Sequence, residues 1–337
     1  MTFWPEDDHM LLMNLNPYMN SKHGACQSVT GDGLKQLRDV GIRTVMQYAH
    51  WDGLVRDGWG YLDTLIAQAR QAGMRSIINT YHAAPKNLPA SYYSRQADGK
   101  TGIHHYDMHI LSLWNLEARA RLIGHIGELA NRYGPDASVI FTGIGCGETV
   151  MFGHGFYDEA ALQSHREQVG GRPDESSPET KAWVRRGVVD FYMAFNEALL
   201  PQHNQTWNPI HRALITDGHR LSGMEAQDDI CAAEYERWPD ADRYLLQYTY
   251  WHHIKNGYKP VIADLCAKNK MKLVVEAGYC SGLPRTAPMA IEAGMRGQIV
   301  SPIHPETHTD RLEQKNIDAI ATAIRLWEQA DTKRRAT

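Results

Sequence analysis

A single (β/α)8 barrel, the TIM-barrel architecture, is the fold class expected for these 337 residues, and three observations predict it. A short phrase recurs as Val40-Gly41-Ile42-Arg43, Ala72-Gly73-Met74-Arg75, Lys270-Met271-Lys272 and Ala293-Gly294-Met295-Arg296, each time followed by a short apolar run. Glycine suits the left-handed residue that closes a helix, and the run after it reads as a strand buried on both faces, so the phrase marks a helix-to-strand junction of a parallel sheet. Eight such strands alternate with eight helical segments. Neither G-x-G-x-x-G nor G-x-x-x-x-G-K-[ST] follows the first strand, which disfavours the doubly wound open sheet that shares this one-dimensional pattern.

In chain order, the first strand is the apolar run near 10–15, and a helix over 31–40 leads through the Gly41 junction to a strand near 42–48. The helix over 62–72 and the Gly73 junction deliver the third strand near 74–80. The next helix spans 116–133, where Leu122, Ile126 and Leu129 recur at the spacing of one buried face. A fourth strand near 138–144, a helix over 178–200, a fifth strand near 212–216 and a helix over 225–238 follow. The sixth strand lies near 244–250, with a helix over 257–269. The Lys270 phrase opens the seventh near 271–276, and the Gly294 junction separates a helix over 285–293 from the eighth near 295–301. A last helix covers 310–329, and 331–337 is read as a flexible basic tail on one catalytic domain spanning 1–337. Two connections are long, 81–115 after the third strand and 145–177 after the fourth, and loops after strands lie at the catalytic face of this architecture.

Composition narrows the function classes. With 43% hydrophobic and 22% charged residues, the chain has the makeup of a soluble globular protein. Its 35 basic and 39 acidic residues are spread along the sequence, and the net charge is −4, which argues against nucleic acid and anionic membranes as partners. No signal-peptide pattern and no membrane-length apolar segment is seen, so the expected location is cytoplasmic. Five widely spaced cysteines without a C-x-x-C pair read as free thiols. No cofactor and no metal is called for, and a homo-oligomer is left open.

Two acidic residues stand where such a barrel keeps its catalysts. Glu148 follows the fourth strand in Phe141-Thr-Gly-Ile-Gly-Cys-Gly-Glu148, and Glu276 ends the seventh in Lys272-Leu-Val-Val-Glu276. Three positions apart around the ring, those strand ends face one another across the mouth. Glycoside hydrolysis needs such a pair, because one carboxyl protonates the leaving oxygen while the other attacks the anomeric carbon or activates water. An acid placed directly after Leu-Val-Val would be costly to bury without a role. Around the pair, Trp51 offers an indole face for a pyranose, with barrel packing as the competing account. His82, Asp217, His219, Gln247, Tyr248, Tyr250, Trp251 and His304 follow or end other strands and are candidates to bind substrate hydroxyls. A helix cap also explains Asp217. The His104-His105-Tyr-Asp107-Met-His109 cluster reads more simply as exposed loop histidines than as a metal site. Abundant Trp and Tyr beside only 6 Phe suit a sugar, which offers an apolar face and a rim of hydroxyls. The expected partner is therefore an oligosaccharide or glycoside.

On these residues the chain resembles the (β/α)8 glycosidases that carry an acid/base glutamate after strand four and a nucleophile glutamate after strand seven, the clan that includes many β-galactosidases. The stretch Trp51-Asp-Gly-Leu, Gly60-Tyr61-Leu-Asp63, Leu65-Ile66, Ala72-Gly73-Met74, Thr80-Tyr-His82 and Pro85 is similar to their segment from strand two through strand three, and weaker similarity extends over most of the chain. The resemblance implies Glu148 as proton donor, Glu276 as nucleophile, and a strand-six tyrosine, Tyr248 in preference to Tyr250, as a partner of the nucleophile. Those enzymes usually carry Asn before the acid/base, where this sequence has Gly147. The wording of Gly143-Ile-Gly-Cys-Gly-Glu148 is closer to the β-amylases, which are inverting barrels, so retention is preferred over inversion without being settled. His304 stands where such glycosidases often hold a tryptophan. Two other readings use the same residues: a metal-dependent sugar isomerase or epimerase recruiting Glu148, Asp217, His252 and Glu276, or a barrel that binds a glycan without cleaving it.

Overall fold

The computed structural model describes residues 10–14, 31–81, 83–101, 103–104, 108–142, 156–199, 206–211, 229, 232–233, 235–237, 243–248, 272–301 and 313–336. Strand β1 (Met10–Asn14) is followed by α1 (Asp32–Val40), β2 (Thr44–His50), α2 (Trp51–Asp57), α3 (Gly60–Gln71) and β3 (Arg75–Tyr81). The third connection holds a small antiparallel sheet of Ala83–Ala84, Met108–Ile110 and Ile103–His104. Then come α4 (Leu116–Tyr133), β4 (Val139–Thr142), α5 (Glu159–Gln168), α6 (Pro178–Leu199), β5 (Thr206–His211), β6 (Arg243–Tyr248), β7 (Lys272–Tyr279), α7 (Leu283–Glu292), β8 (Gly297–Ser301) and α8 (Gln314–Arg335). The eight main strands are parallel, pair in chain order, and close where β8 meets β1.

The recurring glycine phrase does what its chemistry requires. At Gly41, Gly73 and Gly294 φ is positive (114°, 69° and 76°), and each turn carries the same two bonds, such as Gly73 N–H to Arg70 O at 2.9 Å and Met74 N–H to Ala69 O at 2.9 Å. These satisfy the last carbonyls of α1, α3 and α7 and release the chain straight into β2, β3 and β8. Gly41 is doubly constrained, since a Cβ there would stand 2.8 Å from the Ile324 side chain of α8.

Alternation sorts each strand into two rows. Val45, Ala49, Ile78, Val139, Phe141 and Val300 join the main core under the helices. Met46, Ile77, Val274 and Ile299, equally buried, occupy the other row, inside the ring. The register makes the rows continuous: Met46 pairs with Ile77, Ile77 with Ile140, and Val274 with both Leu246 and Gly297. A ring closes this way only if parity is conserved on going round it, and it is.

Several boundaries differ from expectation. The fifth strand is Thr206–His211, upstream of the predicted 212–216, because Asn208 and Pro209 are poor strand formers and hid it. The seventh runs on to Tyr279, so Glu276 lies inside it instead of ending it. The last helix reaches Arg335 through residues read as a flexible tail: Asp331 is buried and ion-paired with Arg334, whose guanidinium lies 6.0 Å from the Trp327 ring. The helix expected over 257–269 lies outside the described residues, as does most of that over 225–238. Among the described residues no helix is long and apolar enough to cross a membrane.

Candidate active site

The mouth is the rim formed by the C-terminal ends of the strands. Counting from the buried lumen positions, the lumen row reaches it at His50 on β2, Tyr81 on β3, Thr142 on β4, His211 on β5 and Tyr248 on β6. On β7 the same row holds Val274 and then Glu276, which pairs with Ile299. One step past the Val275–Gln247 pair, Glu276 and Tyr248 are the next residues of adjacent strands. The expected nucleophile and its preferred tyrosine thus occupy neighbouring lumen positions of the backbone.

By register, Gln247 occupies a backbone position in the opposite row. It pairs with Val275, and Val275 pairs with Gln298, whose side chain faces the helices. There Gln298 accepts from Trp327 Nε1 at 3.1 Å and donates to Thr286 Oγ1 at 3.1 Å.

Trp51 also takes the packing role. It begins α2, is 5% exposed, and stacks on His125 of α4 with ring centroids 5.3 Å apart and planes 16° apart. Trp59 stacks on the same imidazole at 5.8 Å. This burial among aromatics holds the His125 pKa down, to about 4, so the ring is neutral at physiological pH. Beyond it, Arg132 of α4 lies over Trp59 and bonds Asp63 of α3, Nε to Oδ1 at 3.0 Å, and Tyr133 donates to the same oxygen at 2.8 Å. The stack therefore ties the end of β2 to the α3–α4 wall and leaves little indole for a sugar.

The two long connections meet beside the mouth. Asp158 caps α5 by accepting from Ala161 N–H at 3.1 Å, and it also accepts from Ser112 Oγ at 2.7 Å. Tyr157 N–H donates to Arg95 O at 3.0 Å. Burial raises the Asp158 pKa despite these bonds. Behind the joint, Trp114 stacks on Trp183 at 4.3 Å, and Phe156 packs on the edge of both. In the third connection Tyr93 is buried and packs edge-on against His109 at 4.7 Å. Among the described residues no group of three acidic, His or Cys side chains is placed to hold a metal. Cys280, which follows β7, is a buried thiol outside any disulfide, and burial pushes its pKa up to about 12.

Glu148, His82, Asp217, His219, Tyr250, Trp251 and His304 lie outside the described residues. Sequence reasoning passed over the rim positions His50, Tyr81 and His211. Strand alternation carried four residues past the Met46–Ile77 pair finds the first two, because β2 and β3 each extend beyond their apolar runs.

Neither a protein-family model nor a curated protein matches the chain. Solved structures of similar fold are glycoside hydrolases. A β-galactosidase from the psychrophilic Marinomonas ef1 aligns with a TM-score of 0.62 and 14% identity over 94% of this chain and 59% of its own. Gan42B, a GH42 β-galactosidase, gives 0.61 and 12% over 96% and 57%. A family 1 β-glucosidase from Thermotoga maritima gives 0.56 and 10% over 96% and 98%. The chain therefore spans less than two thirds of the two β-galactosidases and nearly all of the β-glucosidase, and likeness at this identity speaks for the fold.

Proposed function

We propose that this chain is a glycoside hydrolase that cleaves an O-glycosidic bond with two glutamates, acting in the cytoplasm through a single (β/α)8 barrel domain over residues 1–337. The observation that carries the reading is the register of β7, in which Glu276 takes a lumen-row position at the rim beside Tyr248. A carboxylate there borders the space where the strand ends converge, as a nucleophile requires. The glycosidase fold of the similar structures supports it.

In this mechanism Glu148, following β4, protonates the glycosidic oxygen while Glu276 attacks the anomeric carbon. The glycosyl–Glu276 ester is then hydrolysed by water that Glu148 deprotonates, and the anomeric configuration is retained. The mechanism requires Glu148 to hold its proton near neutral pH and Glu276 to lose it. Tyr248 donates to Glu276 and keeps it ionised and aimed. His82, Asp217, His219, Tyr250, Trp251 and His304 complete the sugar contacts from neighbouring loops; Trp51 acts in packing.

A panel of nitrophenyl glycosides and β-linked oligosaccharides tests this, run beside Glu148→Gln and Glu276→Gln. Turnover of at least one member, lost in both variants, with product first released in the substrate's anomeric configuration, is expected. Turnover that survives Glu276→Gln defeats the assignment, and initial release of the opposite anomer replaces retention with inversion.

A further inference from the structure

In an unbroken strand residues 276 and 279 fall on opposite faces, because the side-chain period is two. In β7 the register shifts: Glu276 pairs with Ile299, and the next pair joins Gly278 to Val300. Ala277 is the extra residue of a bulge, and the strand changes parity after it. Val300 belongs to the core under the helices, which sets Gly278 in that row, whereas Tyr279 pairs with Ser301 in the row of Gly297 and Ile299, inside the ring. The bulge thus returns the chain to the lumen row at Tyr279. The backbone is held on both sides of that position, by the Ser301 pairing and by Cys280, buried in the short turn that leads to α7.

We propose that Tyr279 is a second working residue of β7, which holds the sugar unit next to the one that Glu276 attacks. This deepens the glycosidase reading and rests on it. Three residues at the strand rise put the two backbone positions about 10 Å apart, so Tyr279 serves the outer part of the mouth rather than the reacting centre. Tyrosine suits that task, since its ring covers the apolar face of a sugar while its phenol bonds a hydroxyl. Ala277 and Gly278 are small residues, as a bulge at a barrel rim favours.

Placement can be read without any sugar. Tyr279→Cys and Gly278→Cys are each treated in the native state with a small maleimide and mapped by mass spectrometry. Labelling at 279 and not at 278 is expected, and the reverse overturns the placement. If Gly278→Cys does not fold, slow labelling at 279, at the rate of buried Cys280 in the same peptide, overturns it instead. Function is read in the Glu276→Gln protein by calorimetry with cellotriose and β-1,4-galactotriose, against the 4-nitrophenyl monoglycosides. Tyr279→Ala is expected to weaken trisaccharide binding about tenfold, equivalent to about 1.4 kcal/mol, with the monoglycosides changed less than about twofold and Tyr279→Phe intermediate. Trisaccharide binding untouched by Tyr279→Ala, or equal losses for both ligand classes, overturns the role of Tyr279 and leaves the glycosidase reading standing. If the parent binds none of these sugars and the glycoside panel above is also inert, the glycosidase reading and the role of Tyr279 fall together, while labelling at 279 still places it at the mouth.

Discussion

The second and seventh strands leave the barrel in different ways. β2 keeps unbroken register with β3 through seven pairs to His50–Tyr81 and turns at once into α2, so Trp51 drops into the helix-side core against His125. β7 holds Glu276 in the lumen row, slips by one residue at Ala277 and so returns Tyr279 to the same row. The regular strand leads directly into packing at Trp51, and the irregular one returns its backbone to the lumen row, where the proposed sugar contacts are sought. Irregular pairing at a barrel rim is a way to aim groups that strict alternation would turn to the wall.

Substitutions at the two ends should separate along that line. The largest effect is expected for Glu276→Gln, a loss of turnover of about a thousandfold or more with a melting temperature within a few degrees of the parent. Next comes Trp51→Ala, which removes a buried indole and should cost about 3–5 kcal/mol in a urea titration while the folded fraction keeps its KM within about twofold. Were Trp51→Ala to leave stability intact and raise KM tenfold, Trp51 would return to the sugar site and the contrast would fail.

A smaller effect concerns His125 beneath Trp51. Its folded pKa, about 4, lies below the ordinary 6.5, so between those values the unfolded chain binds more protons than the folded one. Stability is therefore fully present above about pH 6.5 and falls as pH drops toward 4, by on the order of 3 kcal/mol. Urea titrations at pH 7 and 4.5 should show the difference in the parent and a reduced one in His125→Phe; equal slopes in both proteins would remove His125 as the cause. The smallest change is expected for Gln298→Leu on β8, which leaves Trp327 Nε1 and Thr286 Oγ1 without that partner and should cost about 1–3 kcal/mol. If activity fell as well, the wall behind β7 would be shown to hold the bulge in place.

Much of the architecture was legible in one dimension. The helix over 116–133 was read to the residue, since Asn115 caps it and its apolar period is clean. Three glycine junctions were found because a left-handed residue leaves a chemical signature. The fifth strand was misplaced, because pairing with β6 recruits Asn208 and Pro209 against their own preference. Of the site, Glu276 was legible as an acid after an apolar run, whereas the row that Gln247 joins was not, because polarity near a strand end does not carry register. Trp51 was open between two roles, and the fate of its indole depended on a histidine 74 positions along the chain.

The order of the barrel strands, the glycine-closed ends of three helices and an acid at the seventh strand follow from the amino-acid sequence alone, because capping, turn formation and apolar periodicity act over a few neighbouring residues. Which face each strand residue joins, the bulge that returns Tyr279 to the lumen row, and the burial of Trp51 were decided by the closed barrel. Those outcomes depend on register between strands distant in the chain, and parity around a ring is a property that no single segment possesses.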